Sequence, residues 1–192
     1  MMLGQRIRLR PIEREDVPRF VKWFADEETR SYLMMHLPLN LAQEEQWLER
    51  NNAAGDEQAW AIDVQPQDAT MAPWDLIGSC GFSRIKWRCQ WAEAGIWIGA
   101  REYWGRGYGT DAMRTLVRWG FNTLNLHRIC LHVYADNLRA IRSYQKAGFV
   151  EEGRLREHDF RNGAYRDEVV MGLLRHEWDA LAAADKAATG AA

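Results

Sequence analysis

Apolar and polar residues alternate strictly through Arg6-Ile7-Arg8-Leu9-Arg10, which predicts a half-buried strand. Asp16 then precedes Val17-Pro18-Arg19-Phe20-Val21-Lys22-Trp23-Phe24, where a first-turn proline and apolar residues at helical spacing predict an amphipathic helix. The stretch from Asp26 to Leu39 is mixed. Asn40 is placed to cap a helix from Leu41 to about Asn52, with Trp47 and Leu48 toward the core. Gln58 to Val64 and Leu76 to Phe82 are strand-like, joined by a loop holding Pro66 and Pro73. Trp91 to Gly99 is a further strand. Beyond it, Met113, Leu116, Val117, Gly120 and Leu124 form one helical stripe, with Arg114 and Arg118 outside it. Arg128 to Tyr134 has strand character, Asp136-Asn137 opens a helix through Ala147, and Gly148 is its stop signal. Phe149 to Phe160 and Tyr165 to Leu174 flank Asn162-Gly163, a strong hairpin signal. The alanine-rich tail beyond Trp178 is expected to fray.

This order, strand, two helices, three strands, helix, strand, helix, two strands, describes an α/β protein with a mixed sheet. The two strands flanking the Met113 helix are expected to run parallel through a crossover. At 192 residues and 47% hydrophobic, the chain can bury one good core, and no repeat or linker divides it. A net charge of −2 gives no footprint for nucleic acid. Cys80, Cys89 and Cys130 are far apart and odd in number, which favours a reducing compartment. The histidines, His127 and His132 among them, lack zinc-ligand spacing and read as structural or surface residues, so no metal is expected. No apolar run reaches the length of a membrane span and no signal-peptide core is present, so a cytoplasmic protein with no membrane partner is expected.

The chemistry concentrates between Ile96 and Ala112. An apolar strand ends in Tyr103-Trp104-Gly105-Arg106-Gly107-Tyr108-Gly109-Thr110-Asp111-Ala112, where three alternate glycines lead into a helix. Such a turn suits a phosphate: glycine lets a ligand approach the main chain, and the new helix aims unpaired amides and its positive dipole end at one point. A glycine-rich turn also arises for purely steric reasons. The loop lacks the Gly-Lys-Ser/Thr ending of a P-loop and the spacing of the dinucleotide fingerprint.

Together with Asn137-Leu138-Arg139-Ala140-Ile141-Arg142-Ser143-Tyr144-Gln145-Lys146-Ala147-Gly148-Phe149, this loop resembles the GNAT superfamily of acyl-CoA-dependent N-acetyltransferases. Ile7-Arg8-Leu9-Arg10-Pro11, Gly153-Arg154-Leu155-Arg156-Glu157 and Asp167 to Met171 are similar to its RimJ/RimL-like branch, which includes ribosomal-protein N-terminal acetyltransferases. The resemblance implies one domain over residues 1–180 with a tail at 181–192, a mixed sheet of about seven strands and four main helices, splayed at an acetyl-CoA site. It departs from the superfamily at Trp104, where Gln or Arg is usual.

The resemblance implies acetyl transfer from acetyl-CoA to a primary amine by direct attack through a tetrahedral intermediate. The acceptor stays open among a protein N-terminus, a polyamine, an amino sugar or aminoglycoside, and a small metabolite. The rival is a catalytically silent CoA-binding or regulatory module. The pyrophosphate is expected on the amides of Gly105, Arg106, Gly107, Tyr108, Gly109 and Thr110 beside Trp104, and pantetheine on main-chain groups of Trp97 and Ile98, which can also stabilise an oxyanion. Asn137 matches the asparagine that contacts the cofactor, and read alone is a helix N-cap. Arg142 and Lys146, with Arg106, can steer phosphates or simply be solvated. Tyr144 is placed to protonate the departing thiolate, with Ser143 as a rival; read alone, it is a packed tyrosine. Glu93 is the candidate base, acting directly or through a water, on the strand face shared with Gly95 and Trp97. Asp26 to Met35 lies where this family closes over its acceptor. Neither a monomer nor a homodimer is excluded.

Overall fold

The computed structural model describes residues 1–35, 37–53, 55–65 and 73–190. Eight strands form one sheet: β1 (Met2–Leu3), β2 (Ile7–Pro11), β3 (Gln58–Val64), β4 (Asp75–Lys86), β5 (Trp91–Ile98), β6 (Arg128–Tyr134), β7 (Val150–Arg161) and β8 (Ala164–Leu174), ordered β1-β2-β3-β4-β5-β6-β8-β7. Six α-helices accompany them: α1 (Val17–Ala25), α2 (Glu27–Ser31), α3 (Leu41–Ala53), α4 (Tyr108–Asn122), α5 (Leu138–Lys146) and α6 (Arg175–Gly190). The sheet has one strand more than the sequence led us to expect, because β1 is two residues long and leaves no period to read. Pro66 lies outside the described residues. The alanine-rich segment expected to fray continues as helix to Gly190. No helix among the described residues is long and apolar enough to cross a membrane.

Every neighbouring pair is antiparallel except β5 and β6, which run parallel on either side of the α4 crossover. The sheet separates two apolar layers. On one face, Met113, Leu116, Val117 and Phe121 of α4 pack over Ile7, Leu9, Ala92, Ala94, Ile129 and Leu131. On the other, Phe20 and Phe24 of α1 meet Leu48 of α3, and Trp97 packs edge-on to Phe20 with ring centroids 4.9 Å apart. The alternation in β2 buries Ile7 and Leu9, while Arg8 and Arg10 both reach Asp63, which is 1% exposed on β3. Arg10 also binds Asp16 through two nitrogens, so two arginines compensate the buried carboxylates. Asn162 and Gly163 take φ values of 50° and 82°, both left-handed as a two-residue hairpin turn requires.

Asn40 caps α3 reciprocally with Gln43, at 2.9 and 3.0 Å. The inner face of α3 also carries Glu44, which is 3% exposed and whose carboxyl burial pushes up to about 7. The folded chain therefore keeps a proton there that the unfolded chain has released at a pH near 4.5. Stability from this site is full below that pH and falls as pH rises toward 7. Glu44→Gln is expected to raise stability at pH 8 by an amount on the order of 3 kcal/mol and to leave it unchanged at pH 4. Urea melts at the two pH values test this, and equal gains at both would refute it.

Candidate active site

The site begins where the parallel ladder stops. β5 and β6 pair only at Trp91↔Arg128, Ala92↔Ile129 and Glu93↔Cys130, and then diverge. The gap widens into a cavity of about 510 Å³ bounded by β5, β6, the glycine loop, α5 and the segment after α2. Strand alternation decides which main-chain groups face it. Gly99 N donates to Ile77 O at 2.8 Å, so Trp97, two residues back, also turns its amide and carbonyl toward β4. Ile96 and Ile98 therefore turn theirs toward the missing β6 partner. Trp97, expected from sequence to offer its main chain, lines the cavity between Ile96 and Ile98, and its ring belongs to the aromatic cluster with Phe20, Trp23 and Phe24.

Trp104 changes the site further. Its indole Nε1 donates to Ile98 O at 2.7 Å, so that carbonyl is already satisfied and only the Ile98 amide remains for a ligand. The Arg139 guanidinium lies 3.9 Å above the Trp104 ring and 5.3 Å from the Tyr32 ring, which ties α5, the glycine loop and the acceptor segment together. Arg139 was missed in the sequence, where it reads as one more solvated charge.

Gly105 and Gly107 have φ of 71° and 85°. The first helical bond of α4 runs from Asp111 N to Gly107 O, so the amides of Tyr108, Gly109 and Thr110 have no helical acceptor. They lie at the positive end of a 15-residue helix, which suits a diphosphate. Gly105, Gly107, Gly109 and Thr110 all line the cavity. The side chains of Arg106 and Tyr108 do not. Arg106 is exposed with its carbonyl held by Arg6 at 2.7 Å, and the Tyr108 ring is buried against Tyr103 and under Arg6. The main chain of both belongs to the loop suited to a phosphate.

Across the cavity, α5 presents Asn137, Arg142, Ser143, Tyr144 and Lys146. Asn137 Oδ1 caps the helix by accepting from Ala140 N at 3.2 Å, which leaves the two amide hydrogens of its side chain unspent. The cap and the ligand contact are thus compatible. Ser143 Oγ is 2.8 Å from Thr110 Oγ1, a bond that sets α5 against the first turn of α4. Tyr144 is 8% exposed, packs against Phe149, and has a phenol pushed up to about 12 by burial.

On the opposite face of the sheet the cavity meets Glu93, His132, Tyr134 and, from α2 onward, Thr29, Tyr32, Leu33 and Met34. Glu93 lines the cavity, and the Arg84 guanidinium pairs with its carboxylate. His132, read from sequence as structural or surface, stands in the wall with Nδ1 3.1 Å from Glu168 Oε2. Tyr134 donates to Asp159 Oδ2 at 2.7 Å. Two of the acidic groups before Tyr32 are engaged by Arg101. Asp26 caps α2 through Thr29 N and pairs with Arg101, which holds its carboxyl down at about 2, and Glu28 joins the same guanidinium. Arg161 and Arg166 clip the segment further, donating to the carbonyls of Leu33, Met35 and Ser31 at 2.7 to 2.9 Å.

The acetyltransferase (GNAT) domain model matches residues 6–150. An uncharacterized N-acetyltransferase, p20 of Bacillus licheniformis, is 29% identical over 177 residues, 91% of this chain and 96% of that protein. A putative ribosomal N-acetyltransferase of Bacillus subtilis, YdaF, is 36% identical over 88 residues, 46% of this chain and 48% of that one. Among solved structures, spermidine N-acetyltransferase from Vibrio cholerae in complex with CoA and spermine superposes with a TM-score of 0.82 at 28% identity, over 91% of this chain and 99% of that one. A splayed parallel pair opening onto a glycine-rich helix start, with this family match over most of the chain, leads to one conclusion: the protein belongs to the GNAT acetyltransferases and moves the acetyl group of acetyl-CoA to an amine nitrogen.

Proposed function

We propose that the chain is an acetyltransferase of the RimJ/RimL type whose acceptor is a single α-amine, at a protein N-terminus or on a small molecule, and that it works in the cytoplasm. The observation that carries the acceptor reading is the charge of the cavity wall. Glu93 is the one acidic residue among the described residues lining it, and Arg84 already pairs with that carboxylate. Tyr32, Leu33 and Met34 complete the acceptor end as an aromatic and apolar surface. A polyamine carries several charges and calls for several unpaired carboxylates. Deprotonation favours the same choice. At pH 7 an α-amine with pKa near ~8 costs about 1.4 kcal/mol to neutralise, against about 4.6 kcal/mol for a lysine-type amine near ~10.4.

In this reading the pyrophosphate lies on the amides from Gly105 to Thr110, within reach of Arg142 and Lys146. Pantetheine takes the place of the β6 partner beside Ile96 and Ile98, with Asn137 contributing its side-chain amide. The acetyl carbonyl then points at a β5 amide, whose hydrogen bond strengthens as the oxyanion forms, an effect worth roughly 3 kcal/mol. Glu93 meets the incoming ammonium, Tyr144 faces the sulfur, and Ser143 sets α5 through Thr110. The polyamine reading rests on the Vibrio cholerae structure, which holds spermine.

The two are separated by following thiol release from acetyl-CoA with a free-amine tetrapeptide, spermidine and an aminoglycoside. We expect the tetrapeptide to show the highest kcat/KM. A higher value for spermidine would overturn the α-amine reading.

A further inference from the structure

We propose, resting on the amine-acetylating reading of this site, that His132 takes the proton from the acceptor ammonium and that Glu168 is the residue positioning its ring. In β6 the side chains of Ile129, Leu131 and Val133 enter the core beneath α4, which turns Cys130, His132 and Tyr134 to the other face. Glu93 pairs with Cys130 in the parallel ladder, so His132, two residues on, stands across the splay from Gly95. A Cβ added at Gly95 would meet nothing within 4 Å. The imidazole therefore borders open space large enough for an amine, beside the carboxylate of Glu93.

The ring is held in one sense. Its Nδ1 lies 3.1 Å from Glu168 Oε2, and Glu168 is 6% exposed on β8. A carboxylate accepts only, so Nδ1 carries the hydrogen and Nε2 presents its lone pair to the cavity. The Glu93 carboxylate, by contrast, is already paired with the Arg84 guanidinium. Glu168 from β8 contacts the His132 ring, Glu93 from β5 and Tyr134 from its own strand line the same cavity, and Arg128, Glu152 and Arg84 gather about Cys130, two residues back on the same face. Arg166 is directed over the Tyr134 ring, 4.0 Å away, and binds Asp136.

The proton balance closes within the cavity. One ammonium proton passes to Nε2, and the freed nitrogen pair forms the N–C bond to the thioester carbon. The C–S bond then breaks with its electrons on sulfur, and the sulfur ends protonated as the free thiol. The second nitrogen proton and the one on His132 leave to solvent or sulfur, for a net release of one proton per amide formed.

The test uses the full chain with acetyl-CoA and two probe amines, a free-amine tetrapeptide and spermidine. His132→Gln is expected to bind acetyl-CoA as the wild type does by calorimetry and to lose at least about 100-fold in kcat with KM little changed. Glu168→Gln is expected to lose less, and to lose the tautomer preference. Nitrogen-15 NMR of histidine in the wild type reads that preference without any acceptor: hydrogen on Nδ1 and a bare Nε2 support the assignment. Hydrogen on Nε2 in the wild type, or wild-type turnover by His132→Gln, overturns it; should neither probe amine react, the ring-nitrogen result decides alone. Turnover of spermidine in preference to the tetrapeptide would overturn the acceptor reading and leave this one standing, since the His132→Gln loss is read with either amine.

Discussion

Replacing Gly107 with valine is expected to abolish acetyl-CoA binding while the protein still folds. Gly107 is the N-cap of α4 and sits at φ 85°, ψ −2°, a left-handed conformation that costs an L residue about 1–2 kcal/mol, and a β-branched one more. A Cβ there would also lie 2.8 Å from Arg6 Nη2, the same nitrogen that holds the loop by donating to Arg106 O. The loop has two ways out, and both disarm the site. If the backbone rotates to a negative φ, the amides of Tyr108 to Thr110 swing off the cavity; if Arg6 yields, the turn before them loses its anchor. A hydrogen bond to a charged group contributes about 1.5–3 kcal/mol, so losing two raises Kd roughly 100-fold or more. Gly163→Val makes the matched control, because Gly163 has nearly the same φ, 82°, at a hairpin turn that does not line the cavity. Both variants should melt at lower temperature, and only Gly107→Val should lose binding by calorimetry. Tight binding by Gly107→Val would remove the loop from the phosphate site.

That experiment probes a part of the molecule that was legible from sequence, and the reason is local. The φ requirement at Gly105 and Gly107, the stop at Gly148, the Asn162-Gly163 turn and the stripe from Met113 to Gly120 all depend on residues within one or two turns of each other. Their physics is written in neighbouring letters. The pieces that escaped depend on register between distant strands. His132 and Glu168 are 36 residues apart and meet only because β6 and β8 pair antiparallel. Arg84 reaches Glu93 across the β4–β5 turn and pairs with the carboxylate that strand alternation alone had left open. Arg139 gains its role only when α5 is laid against Trp104 and Tyr32. Asp26 and Glu28 are both paired with Arg101, more than 70 residues later, a contact that no local pattern announces. Alternation along β5 did forecast which side chains share a face, yet the choice between Trp97 and Ile96 main-chain groups needed the β4 register.

Tyr144→Phe is expected to lower kcat by roughly 100-fold with acetyl-CoA affinity and thermal stability unchanged. Stability is the informative control. Among the described residues the phenol oxygen of Tyr144 has no hydrogen-bond partner, so its removal orphans nothing, whereas deleting a structural hydroxyl costs its buried partner about 1–3 kcal/mol. The ring itself, packed against Phe149 and closing the apolar layer under α5, is preserved in phenylalanine. Burial pushes the phenol up to about 12, which keeps it protonated at neutral pH. That same value limits what the group can do. A free thiol, of pKa near ~8.5, is a stronger acid than this phenol, so complete proton transfer from Tyr144 to the departing thiolate is unfavourable. In the proposed reading Tyr144 acts first as a hydrogen-bond donor to sulfur, an interaction that strengthens as negative charge develops there and is weak in the bound thioester. An interaction confined to the transition state lowers kcat and kcat/KM together and leaves ground-state binding alone. Calorimetry with acetyl-CoA, thiol-release kinetics and a thermal melt on the same preparation separate the outcomes. Unchanged turnover would remove Tyr144 from the chemistry, and a fall in melting temperature alongside lost activity would return it to the core.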